Sequence, residues 1–205
     1  MPIQYGVELE GFYLNDDREI TVPPKDYPTD DFPGLVELRT TDGKNIEDQA
    51  WEIFRGVTKY PYVLFIQHEH TFNSKDRSKI QALFEHKGGT QVFNIYGKSP
   101  KLTGNKTLAS LQINISNKIS NSYTDKNGNY YPERYGLLNI PLIIRNLDEE
   151  FNLDLKESKR QPGMYSIKDL NRLEYRSLPN FSFPTEASEI HKFVNRIKSC
   201  VETIN

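Results

Sequence analysis

The chain predicts an α+β fold, a single domain over residues 1–205 in which a mainly antiparallel, curved sheet carries flanking helices. Three observations lead there. Strand-like segments cluster with hairpin-like connections, and helical patterns fall between them irregularly. Three of those segments, far apart in the chain, place polar residues two apart: Glu8-Leu9-Glu10, Gln112-Ile113-Asn114 and Arg172-Leu173-Glu174-Tyr175-Arg176. The length of 205 residues suits one domain with a substantial core and is short for two, and 12 Tyr and 11 Phe argue against disorder.

The elements follow in order. Residues 3–14 alternate as a strand, and Asn15-Asp16-Asp17 marks a turn. Residues 21–33, with Pro23, Pro24, Pro28 and Pro33, read as an irregular loop. Residues 34–41 give a second strand, with Val36, Leu38 and Thr40 on one face and Leu35, Glu37 and Arg39 on the other. Asn45 caps a helix from Ile46 to about Lys59, whose stripe is Ile46, Ala50, Ile53, Phe54 and Val57; Pro61 stops it. Strands are expected over 62–67, 92–96 and 108–115, with a short helix over 76–86 closed by Gly88-Gly89.

The stretch 117–130, rich in Asn, Ser and Lys, reads as a mobile loop. Residues 133–151 read as one long helix that Pro141 kinks or restarts. Residues 156–169 read as irregular and 170–178 as a strand. Thr185 is the expected cap of a last helix with the stripe Ile190, Phe193, Val194, Ile197 and Val201, on whose apolar side Cys200 lies as a buried small hydrophobe.

Net charge of −2 argues against nucleic-acid or membrane-surface binding by bulk charge. One cysteine excludes an intramolecular disulfide, and with no apolar run of membrane-spanning length and no apolar signal region the expected setting is cytoplasmic.

In a strand, residues i and i+2 share a face. Each of the three polar segments therefore sets functional groups opposite Leu9, Ile113, Leu173 and Tyr175. Glu8, Glu10, Glu37 and Glu174 are hard oxygen ligands of the kind Mg²⁺ or Mn²⁺ prefers. Read alone, Glu8-Leu9-Glu10 is a solvated strand face and Glu37 beside Arg39 a surface ion pair. Arg160, Arg172 and Arg176 suit phosphate oxygens, although Arg172 and Arg176 also read as partners of Glu174. Ser110, Gln112, Asn114 and Ser116 share a face, and the two amides can serve a metal or a phosphate or form an ordinary polar edge. His68 and His70 alternate as a metal pair would, yet nothing supplies a second matched pair. No Walker-type glycine loop and no G-x-S-x-G elbow is present.

In chain order, YGVELEGFY, PGLVELRT, VFNIYG, SLQINIS and RQPGMYSIKDLNRLEYRSLPN resemble the compact carboxylate–amine ligases (amidoligases) of phages and bacteria. The resemblance runs from residue 5 to residue 180. It implies a glutamine synthetase/guanido kinase-like catalytic domain that uses ATP and Mg²⁺ (or Mn²⁺). The implied reaction joins a carboxylate to an amine through an acyl phosphate. By resemblance, Glu8, Glu10, Glu37 and Glu174 are metal ligands. Arg160 and Arg176, with Glu174, are catalytic. Gln112, Asn114, Ser116 and Arg172 serve the nucleotide, with Asn94 and Tyr96 near nucleotide or substrate. Gln112 stands where relatives commonly have histidine, which bears on metal preference and ATP binding. The implied partners are a small-molecule or peptide carboxylate and an amine, in host cytoplasm if the chain is viral. Related enzymes build rings, so an oligomer fits the resemblance, though the chain has no obvious interface helix. The competing readings are a non-catalytic nucleotide- or protein-binding descendant, a metal-dependent hydrolase or nuclease, and a phosphotransferase to a guanidino or amine group.

Overall fold

The computed structural model describes residues 3–29, 35–40, 45–60, 62–64, 74–76, 78, 91–101, 109–168 and 172–202. Its axis is β1 (Gln4–Leu14), whose odd positions Tyr5, Val7 and Leu9 are buried in the core while Glu8 and Glu10 take the opposite face. Along one edge of β1 runs β3 (Leu35–Arg39), and along the other β6 (Leu111–Ser116). β12 (Arg172–Tyr175) pairs with β6, β11 (Met164–Lys168) with β12, and β5 (Phe93–Asn94) with β11. β2 (Ile20–Thr21) and β4 (Val63–Leu64) pair with the C-terminal end of β1. Every one of these pairings is antiparallel, so the fold is mixed α+β on an antiparallel sheet.

Helices cover the apolar face. α1 (Ile46–Lys59) starts at Asn45, whose side chain accepts the Asp48 N–H at 2.9 Å, as its N-cap role requires. Ile46, Ala50 and Ile53 face the sheet, and each fully buried aliphatic side chain stabilises the fold by about 1.5–3 kcal/mol. Gln49 is also fully buried: its amide donates to the Tyr5 carbonyl and its Oε1 accepts from Thr40 Oγ1 at 2.8 Å. α2 (Ile140–Glu150), α3 (Asn152–Ser158) and α4 (Ile190–Glu202) complete the layer, with Ile143, Ile144, Leu147, Phe193, Val194, Ile197 and Cys200 in one core with Leu111, Ile113, Ile115, Leu173 and Tyr175.

Several expectations are corrected. The helix expected over 133–151 begins only at Ile140, capped by the Asn139 side chain, because Pro141 belongs in a first turn where its missing N–H costs nothing. Before it, β10 (Arg134–Tyr135) pairs with β7 (Lys118–Ser120), and β8 (Tyr123–Thr124) with β9 (Tyr130–Tyr131), so the stretch read as a loop contains paired strands. Asp125 Oδ1 accepts the N–H groups of Asn127 and Asn129, Gly128 takes the left-handed conformation at φ +85°, and Tyr123 stacks on Tyr131 at 4.7 Å. Residues 156–169 hold the end of α3 and all of β11. Thr185 does not cap the last helix: a 3₁₀ turn, Ala187–Glu189, precedes α4. Residues 74–76 and 78 are helical, whereas the remainder of the helix expected over 76–86, the strand beyond Leu64, Pro61, Gly88-Gly89, His68, His70 and His86 lie outside the described residues.

Candidate functional site

The site is built by register. Glu8 is paired with Arg39 on one side and Gln112 on the other; Glu10 is paired with Glu37; Asn114 lies between Gly6 and Glu174; Glu174 in turn faces Ser166. Directly opposed residues project to the same side of a sheet. Residues 8, 10, 37, 112, 114 and 174 therefore share one face, the face opposite the helices. Most of that face is shielded from solvent. Glu10, Glu37, Gln112, Asn114, Ser116, Ser166 and Glu174 are all buried, with Glu174 2% exposed. Burying this many carboxylates and amides is costly unless each is bonded, and a sheet needing only stability would place apolar groups there.

Glu174 is held from three sides. Its Oε1 accepts from Ser166 Oγ at 2.9 Å and from Arg176 Nη1, and Lys168 Nζ lies 3.3 Å from Oε2. Burial pushes its carboxyl up, but Arg176 and Lys168 outweigh burial and leave it below the usual carboxylate range. Glu10 goes the other way. Burial dominates and raises its pKa, against the hydrogen bonds from Ser110 and the charges of Arg176 and Arg160. Two carboxylates on one face are thus driven in opposite directions by their surroundings.

Gln112 joins the two. Its Nε2 donates to Glu10 Oε1 at 2.7 Å, and its Oε1 accepts from Arg176 Nη1 at 3.0 Å. This fixes which end of the amide is which. The oxygen expected to ligate a metal is committed to Arg176, and the nitrogen to Glu10. Glu10 is committed as well, since Oε2 accepts the Ser110 N–H at 2.8 Å while Oε1 takes Gln112. Asn114 Nδ2 donates to Glu8 Oε1 at 3.0 Å. On the outer strand, Arg39 Nη2 donates to both oxygens of Glu37 at 3.1 and 2.9 Å, and its Nε lies 3.4 Å from Glu8 Oε1.

Ser116 is buried at the far end of β6 opposite Gln4, and Arg172 lies opposite Lys168 with its charge felt by Glu133. Three expected site residues bond groups other than the site carboxylates. Arg160 is buried with its guanidinium spent on backbone carbonyls: Nε on Ser177 at 3.1 Å, Nη1 on Ala109 at 3.0 Å and Nη2 on Arg176 at 3.4 Å. These bonds make Arg160 a clamp joining the start of β6 to the end of β12. Asn94 bonds the Pro162 carbonyl and the Tyr96 N–H, which shapes a local turn. Tyr96 Oη donates to Asp148 Oδ2 at 2.9 Å, on the helix-bearing side. There a cleft of about 700 Å³ opens between Tyr96, Lys156 and Lys159, but Asp148, its buried carboxylate, is already bonded by Tyr175, Tyr96 and Gly163.

Ser166 and Lys168 were not singled out from the sequence. Their signal was there: Met164, Ser166 and Lys168 alternate with Tyr165 and Ile167 at period two, directly after Gly163. Among the described residues no group of three or more His, Cys, Asp or Glu side chains is disposed to hold a metal ion, and no helix is long and apolar enough to cross a membrane. Compared with models of protein families, with curated proteins and with solved structures, the chain matches none.

Proposed function

We propose that this chain is an ATP- and Mg²⁺-dependent carboxylate–amine ligase on a glutamine synthetase-like catalytic sheet. One observation carries the reading. Carboxylates, amides and cations from β1, β3, β6, β11 and β12 share one buried sheet face whose reverse is a conventional apolar core. Such a face suits a polyanionic substrate and its counter-ions, and its two oppositely perturbed carboxylates are typical of functional sites.

The donor set fits Mg²⁺. Glu8 and Glu37 offer hard oxygens on neighbouring strands, and a guanidinium lies between them as a stand-in cation. Mg²⁺ commonly takes one or two carboxylates and completes its shell with substrate phosphates and water. When bound it would neutralise charge on the phosphates. The chain's own residues do the rest. Arg176 and Lys168 flank Glu174 and present positive charge to a transferring phosphoryl group. Arg176 Nε is buried with no hydrogen-bond partner among the described residues, an unsatisfied donor beside Glu174. Gln112 and Glu174 fix that guanidinium in place. In the reaction, a substrate carboxylate oxygen takes the γ-phosphoryl group and ADP leaves. The amine nitrogen then attacks the acyl carbon, phosphate departs, and the amine proton passes to a base.

The test is calorimetric titration with Mg-ATP, followed by ADP release and hydroxamate formation with hydroxylamine and a panel of amino acids, peptides and other carboxylates. Wild type is expected to bind Mg-ATP, and Arg176→Ala to lose that binding while keeping its circular dichroism spectrum. Absence of Mg-ATP binding by wild type, or undiminished binding by Arg176→Ala, refutes the reading.

A further inference from the structure

Arg39 is unlike the other cations of the site. Its side chain is 58% exposed, whereas the two carboxylates beneath it, Glu8 and Glu37, are 14% and 7% exposed. One guanidinium spans both: Nη2 reaches Glu37 Oε1 and Oε2 at 3.1 and 2.9 Å, and Nε approaches Glu8 Oε1 at 3.4 Å. Two nearly buried carboxylates on adjacent strands repel each other unless a cation lies between them. The cation present is carried on a long, flexible stem from the solvent side, so it can leave without disturbing any strand pairing.

We propose that Arg39 is a displaceable internal counter-ion, which holds the Glu8–Glu37 pair in the metal-free protein and is exchanged for a divalent cation. This rests on the ligase reading and names a regulatory residue within that site. The competition is weighted by burial. An ion pair whose cation is mostly in water contributes little, whereas a doubly charged ion between two desolvated carboxylates gains from both. Once displaced, the guanidinium on its solvent-exposed stem can meet an incoming anionic group with its fork. Arg39 thus offsets the repulsion between the two carboxylates until a metal ion replaces it, and lets metal entry and anion capture happen together.

The probe is Mn²⁺ alone, with free Mn²⁺ read by electron paramagnetic resonance and no nucleotide present. Removing the competitor in Arg39→Gln is expected to tighten Mn²⁺ binding by roughly two- to fivefold. Arg39→Lys keeps the charge but loses the planar fork, so it is expected to fall between Arg39→Gln and wild type. Glu37→Gln is expected to weaken binding. With chelator present, Arg39→Gln is expected to melt below wild type and to gain more from added Mn²⁺. Unchanged or weaker Mn²⁺ binding by Arg39→Gln overturns the proposal. So does Arg39→Lys equal to wild type, which would reduce the effect to bulk charge. If these failures occur while wild type still binds Mg-ATP, the ligase reading stands without the exchange. If no variant binds Mn²⁺ and wild type binds no Mg-ATP, both fall.

Discussion

Asp148 allows a sharp test of how polar groups are satisfied beneath this sheet. It is 7% exposed and accepts three hydrogen bonds: Oδ1 from Tyr175 Oη at 2.6 Å and from Gly163 N at 3.1 Å, and Oδ2 from Tyr96 Oη at 2.9 Å. Asp148→Ala strands two buried donors, Tyr175 Oη–H and Gly163 N–H, while the part-buried Tyr96 hydroxyl can turn to water. At about 1–3 kcal/mol for each orphaned group, the loss is about 2–6 kcal/mol. Asp148→Asn behaves differently. Its Oδ1 keeps the bonds from Tyr175 and Gly163, its Nδ2 donates to Tyr96 Oη, and a buried charge disappears, so it is expected within about 1 kcal/mol of wild type at pH 7.

The pH dependence follows from sign. Burial raises the Asp148 carboxyl above its ordinary range despite the three hydrogen bonds. A carboxyl raised in the folded state contributes stability that is complete below its unfolded value, about 3.9, and is lost as pH rises through the folded pKa. Asp148→Asn lacks that loss, so it gains on wild type as pH rises across this window. Urea denaturation followed by the fluorescence of Trp51, the single tryptophan, reads all three proteins. The alanine midpoint is expected to fall by about 1–2 M at pH 7. If the asparagine variant loses as much as the alanine variant, this account of the network is wrong.

Three further outcomes are expected. Arg160→Met leaves the carbonyls of Ala109, Arg176 and Ser177 without their donor and is expected to cost about 2–4 kcal/mol in the same denaturation assay, with hydrogen exchange rising first in β6 and β12. Glu174→Gln is expected to lose about 1.5–3 kcal/mol at neutral pH; because the folded carboxyl sits below its ordinary range, the gap to wild type is fullest above about pH 4.3 and closes as pH falls through the folded pKa. Gln49→Leu orphans the Tyr5 carbonyl and is expected to cost about 1–3 kcal/mol while leaving Mg-ATP affinity unchanged, since Gln49 lies beneath the sheet rather than on its site face.

Much of the scaffold was legible because two-residue alternation and helix capping are local signals. Leu9, Ile113 and Leu173 each mark a strand with its polar neighbours turned away, and Asn45 marks the start of α1 at the residue observed. The hairpins between Lys118 and Tyr135 were not legible, because an Asn- and Ser-rich stretch has the composition of a loop until Asp125 closes its turn. β11 was obscured by the Gln161-Pro162-Gly163 turn signal before it, and Ser166 and Lys168 with it. Arg160 shows a deeper limit. An arginine in a polar segment looks the same in sequence whether its guanidinium meets a ligand or three backbone carbonyls. The inward-facing Gln49 defeated the helix stripe for the same reason, since only tertiary contact reveals its two partners.

The connectivity of the central sheet has a consequence for how the protein is made. Glu10 finds its amide partner Gln112 across 102 residues of sequence, and Arg176 belongs to a later segment still. A ribosome adding about 5–20 residues per second therefore releases Glu10 seconds before the Gln112 and Arg176 that complete its network. Over that interval the early strands can pair, but their charged side must stay hydrated, so closure of the sheet awaits the last third of the chain. Nucleation by such distant contacts makes for slow folding. A chain truncated before Met164 would lack the strands that carry Ser166, Lys168 and Glu174, and would leave β6 as an open edge.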